Sequence, residues 1–127
     1  MNYKYRIYVE RQLVVYRVDG KPEREAVREM YTAFVSDPAY RPEYNGIADW
    51  RHVISNLSRE DVAYIANLVL ADQKLQQLWV GLVSQPMSTA LASIYSRKVS
   101  EQHTVELCST PGRASEILGY DVGPYLL

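Results

Sequence analysis

Asp49, Arg51 and His52 bring a carboxylate, a guanidinium and an imidazole into one short phrase, Asp49-Trp50-Arg51-His52-Val53. Such a set could bind an anion or move a proton, since imidazole titrates near neutrality and guanidinium keeps its charge. Strict alternation along a strand puts Asp49 and Arg51 on one side and His52 on the other, so the plainer role is a pair that holds a loop or helix terminus. A second phrase, Ser84-Gln85-Pro86-Met87-Ser88-Thr89, runs from an apolar segment into a helix start. Backbone N–H groups at such a place can receive an anion or a polar head group. Ser58 and Ser55 are weak candidates for phosphorylation, and Ser58 reads more simply as a helix cap. Cys108 reads as a small core residue and His103 as the start of a strand.

The familiar catalytic spacings are absent. The glycines form neither G-x-G-x-x-G nor a Walker A loop, and there is no H-E-x-x-H or G-x-S-x-G. One cysteine cannot close an intramolecular disulfide, and with two histidines it cannot build the common Cys/His zinc sites. No catalytic residue, metal or cofactor is therefore assigned. With 14 basic side chains against 15 acidic ones, the chain lacks the basic surplus of a nucleic-acid binder. Residues 75–96 carry no charge, but the unbroken apolar run Leu78 to Val83 is too short to span a bilayer. The opening Met1 to Arg6 alternates polar and aromatic residues and lacks a signal peptide's apolar core, so a reducing, cytoplasmic location is expected.

These residues need elements to position them. At 127 residues, 47% apolar and 23% charged, the composition suits one globular domain over 1–127. Alternation at Tyr3, Tyr5, Ile7 and Val9 predicts a strand, and Leu13 to Val18 a second, joined as a hairpin through Glu10-Arg11-Gln12. Pro22 opens an amphipathic helix carrying Val27, Met30 and Phe34 and ending near Asp37-Pro38. Gly46 to Val53 reads as a strand. Ser58 with Asp61 three residues on makes a capping box for a second helix. Leu78 to Val83, apolar throughout, fits a central strand covered on both faces. A third helix runs from about Ser88 to Lys98, His103 to Cys108 is a last strand, and Thr110-Pro111 starts a short helix capped by Gly119. The order β-β-α-β-α-β-α-β-α predicts an α/β fold: a mixed, largely parallel sheet with an N-terminal antiparallel hairpin and about four helices.

That order, with the hairpin into Val18-Asp19-Gly20, Asp37-Pro38, the Asp49 to Val53 phrase and Ser58-Arg59-Glu60-Asp61-Val62, resembles the SpoIIAA-like branch of the STAS superfamily, often labelled STAS/SEC14-like in bacteria. The resemblance implies a SpoIIAA-like sheet and a regulatory or protein-interaction role without chemistry of its own. Related SEC14-like folds bind lipids. The Asp-Ser-Ser-Gly-like turn that carries the phosphorylated serine of anti-sigma factor antagonists has no counterpart in Val53-Ile54-Ser55-Asn56-Leu57-Ser58-Arg59.

Two surfaces then stand out. The helix over Ala90 to Ser96 has no charge on any face, with Leu91, Ile94 and Tyr95 expected inward and Ala92, Ser93 and Ser96 outward, there to meet a partner or line a pocket. Tyr3, Tyr5, Tyr8 and Tyr16 on the hairpin suggest a second contact surface. The expected activity is binding of a protein partner or a second copy as a homodimer. The alternative is a carrier of a small apolar or anionic ligand, in a pocket between the sheet and the uncharged helix bordered by Trp50, Trp79, Met87 and Tyr95.

Overall fold

A computed structural model describes residues 1–127. Five strands, β1 (Asn2–Tyr8), β2 (Leu13–Gly20), β3 (Asn45–Val53), β4 (Leu78–Leu82) and β5 (Thr104–Cys108), form one sheet in the order β1-β2-β3-β4-β5. β1 runs antiparallel to β2, and all later neighbours are parallel. Four helices, α1 (Arg24–Val35), α2 (Arg59–Asp72), α3 (Pro86–Val99) and α4 (Pro111–Leu118), complete the α/β architecture expected from the sequence.

The spatial order of the strands follows the chain order, so every β-α-β crossover steps in the same direction. Crossovers of one hand then place their helices on one face of the sheet. Side chains from α1 (Tyr31, Phe34), α2 (Ala66, Val69) and α3 (Val99) accordingly share a core with Val14 of β2 and Trp79 of β4. The opposite face, with Leu13, Val15, Ile47, Val80 and Leu82, is covered by Ala114 of α4 and by Val122 from the tail. Because β4 is covered on both sides, four of its five residues are buried, as its unbroken apolar run requires.

Local signals explain most boundaries. Ser58 accepts from the Asp61 N–H and Asp61 returns the bond to the Ser58 N–H, closing the capping box that starts α2. Thr110 caps α4, and Gly119, at φ 87°, ends it in the left-handed conformation that favours glycine. Some boundaries differ from expectation. The break between β1 and β2 is a 3-10 turn over Val9–Arg11 that closes on Gln12 at φ 51°. α1 begins at Arg24, with Pro22 outside it, and α3 begins earlier than expected, at Pro86.

The hairpin tyrosines are a larger correction. They are not a free contact surface: Tyr5 and Tyr16 pack against the core under α1, Tyr3 against Val18 and its neighbours, and Tyr8 against the tail. The Tyr5 hydroxyl donates to Asp37 at 3.0 Å, and that of Tyr8 to the Tyr125 carbonyl at 3.0 Å. The mixed character of Tyr5 and Tyr8 serves these internal ties.

Candidate binding cavity

The ladder registers explain a hollow under the helices. One row of the sheet reads Tyr5, Tyr16, Ala48, Gly81, Leu107 across the five strands. Two small residues lie side by side between Tyr16 and Leu107, and a third, Ala92 of α3, lines the same space. The adjacent row reads Ile7, Val14, Gly46, Trp79, Val105. Gly46 lets the Trp79 indole lie flat on β3, since a Cβ at that position would run into the ring. The result is a cavity of ≈ 150 Å³ between the sheet and α1, α2 and α3.

Of the 26 residues that line it, 20 are hydrophobic and none is charged. Trp50 and Trp79 contribute from the sheet, Met30 and Phe34 from α1, Ile65 and Val69 from α2, and Leu91 and Tyr95 from α3. The polar atoms in the lining are few. Trp50 Nε1 donates to the Tyr16 hydroxyl at 2.9 Å. Burial pushes the Tyr16 pKa up to about 12 against a smaller lowering by that bond, and pushes Tyr95 further in the same direction. Both phenols are therefore neutral at physiological pH. His103 is 4% exposed, and burial holds its imidazole below the ordinary pKa, with the main chain of Thr104 and Gln77 pulling the other way. Neither ring nitrogen makes a hydrogen bond of good geometry.

Ser55, Asn56, Leu57 and Ser88, from the segment after β3 and the start of α3, also line the cavity. Ser88 Oγ donates to Asn56 Oδ1 at 2.7 Å and Gln85 Nε2 to the Val53 carbonyl at 3.1 Å, which straps this segment to the start of α3. Ser84 Oγ donates to the Arg51 carbonyl at 3.4 Å. Ser84 and Gln85 thus act as ties outside the lining, while Ser88 is part of it. The start of α3 has Pro86 in its first turn, which removes one of the N–H groups an anion would use.

Trp50, Trp79 and Tyr95 border the cavity as expected, but Met87 does not. It points outward, 57% exposed, and lies outside the lining. The expected outer face of α3 also turns inward: Ala92 lines the cavity and Ser96 Oγ donates to the Val105 carbonyl at 3.2 Å. Its exposed residues are instead Pro86, Met87, Thr89, Ala90, Arg97 and Lys98. Of the two serines, Ser58 spends its hydroxyl on the cap, whereas the Ser55 oxygen is buried in the cavity wall.

Asp49, Arg51 and His52 lie away from the cavity, at the carboxyl ends of β2 and β3. Asp49 is fully buried and takes two bonds from the Arg51 guanidinium, at 3.0 and 2.8 Å, and one from the Arg51 N–H. His52 is not on the opposite side. Arg17 pairs with Asp49 but Asp19 pairs with His52, so β3 accommodates an extra residue there and the alternation slips. His52 Nε2 consequently comes within 3.6 Å of Asp49 Oδ2. Arg17 binds Asp19 and the Leu127 oxygen at 2.9 Å, so the cluster ties strand ends to the tail. Burial raises the pKa of the Cys108 thiol, which makes it a poor nucleophile.

No group of three or more His, Cys, Asp or Glu side chains is placed to hold a metal ion, and no helix is long and apolar enough to cross a membrane. The cavity residues that sequence reasoning passed over are His103, Ala48 and Gly81; only the strand register reveals that the small pair adjoins. Compared with known families and curated proteins, the chain matches no family model and no curated sequence.

Proposed function

We propose that this chain is a binding protein for a small, largely apolar molecule, held between the sheet and α1, α2 and α3 and requiring no chemistry from the protein. The observation that carries the reading is the uncharged cavity of ≈ 150 Å³ bordered by Trp50, Trp79 and Tyr95. Cavities of about that size with apolar walls take up benzene or xenon, so the volume suits a ring-sized molecule rather than a long acyl chain. The proposed setting is the cytoplasm.

Calorimetric titration with toluene tests it. One saturable site is expected in the wild type, and Ala92→Phe, which places a ring in the cavity from α3, abolishes it while the protein stays folded. Absence of binding to the wild type, or undiminished binding to Ala92→Phe, contradicts the proposal.

A second reading, a STAS-like regulatory module that binds a protein partner or a second copy, draws support from Ile54 and Met87, two of the three exposed large apolar side chains. Both adjoin the segment tied by Ser88 and Asn56. Sedimentation equilibrium distinguishes a homodimer from a monomer.

A further inference from the structure

Every buried side-chain nitrogen or oxygen that lacks a hydrogen-bond partner belongs to a residue of the same cavity: Ser55 Oγ, Trp79 Nε1, and Nδ1 and Nε2 of His103. Elsewhere such groups are satisfied. Asp49 is held by Arg51, and Gln102 donates to the carbonyls of Val69 and Leu75 at 3.1 and 2.9 Å. A buried polar group without a partner bears its desolvation cost with no return, so folded proteins keep such groups rare. Their concentration around one cavity marks it as a place where something polar is received.

The geometry narrows what that is. Trp79 is 4% exposed, and its indole lies over Gly46 with Phe34 at 5.6 Å and Tyr16 at 6.0 Å between ring centroids. The ring is clamped, and its N–H can only donate. His103, neutral and 4% exposed, offers one donor and one acceptor. No charged side chain lines the cavity, so nothing there offsets the cost of burying an ionised ligand. Resting on the reading of the cavity as a binding site, we infer that its ligand is an uncharged, ring-sized molecule carrying one hydroxyl or carbonyl oxygen, which accepts from Trp79 Nε1, with His103 and Ser55 as further polar partners.

Phenol, toluene and benzoate separate the claims, because phenol and toluene have nearly the same shape and benzoate is ionised at pH 7. Calorimetry at that pH is expected to show phenol binding about threefold to tenfold more tightly than toluene, the worth of one net hydrogen bond. Benzoate binds most weakly. In ¹H–¹⁵N spectra the indole signal missing from Trp79→Phe moves further downfield with phenol than with toluene. In Trp79→Phe phenol falls to the level of toluene, while toluene still binds. The wild-type comparison stands even if that variant does not fold. Toluene binding with no preference for phenol, or benzoate binding best, overturns the inference and leaves the cavity reading intact. If neither toluene nor phenol binds, the cavity reading falls with it.

Discussion

At the scale of single residues, Asp49 is the group with most at stake. Burial alone raises its pKa, but the guanidinium and backbone N–H of Arg51, helped by the charges of Arg51 and His52, outweigh that effect and hold the carboxyl below its ordinary value. The native state therefore binds the proton less readily than the unfolded chain. The associated stability is complete above the unfolded carboxyl pKa of about 4 and is lost as pH falls through the depressed native value. Asp19, lowered mainly by its bond to Arg17, adds to the same trend. Asp49→Asn is expected to cost about 2 kcal/mol at pH 7, less than breaking a fully buried pair because Arg51 stays partly in water. Its stability also varies less below pH 4 than the wild type's. Urea unfolding across that range checks both, and equal stability at pH 7 contradicts the account. The Asp49–Arg51 pair was legible from alternation; the position of His52 was not, because a one-residue slip leaves no mark in composition or spacing.

The elements owe their limits to short-range chemistry, and these were the most readable part of the chain. The α2 capping box is the clearest case: Ser58 Oγ and Asp61 Oδ2 satisfy each other's N–H groups at 3.0 and 3.2 Å. Ser58→Ala removes one of these bonds and is expected to destabilise the protein by about 1 kcal/mol, measured by urea unfolding. No change would mean that water replaces the cap at no cost. The lack of charge over Pro86 to Ser96 of α3 was equally readable, yet the helix's rotation was not. Ala92 lines the same hollow as Ala48 and Gly81, and that coincidence depends on which strands neighbour each other. Small residues in a strand read locally as weak formers; only when their registers coincide do they become a hollow.

On the scale of the whole molecule, the fold class followed from element order, and the layering followed from strand order. Sequential parallel strands gather α1, α2 and α3 on one face, where a row with small residues at its centre leaves space beneath the helices. The abundance of tyrosine has a related explanation. Tyr31 and Tyr40 bury their rings around Phe34 and reach Asp72 at 3.1 Å and the Lys74 carbonyl at 2.6 Å, stitching α1 and the segment after it to the end of α2. Both hydroxyls find partners, while the buried polar atoms of Trp79 and His103 do not. A crystal of the wild-type protein under xenon pressure shows whether the cavity lined by such atoms is open to a guest. Xenon occupies apolar cavities of about 150 Å³, so density is predicted among Trp50, Trp79, Ala92 and Tyr95. A structure in which those side chains close over the space and no xenon enters would contradict the account.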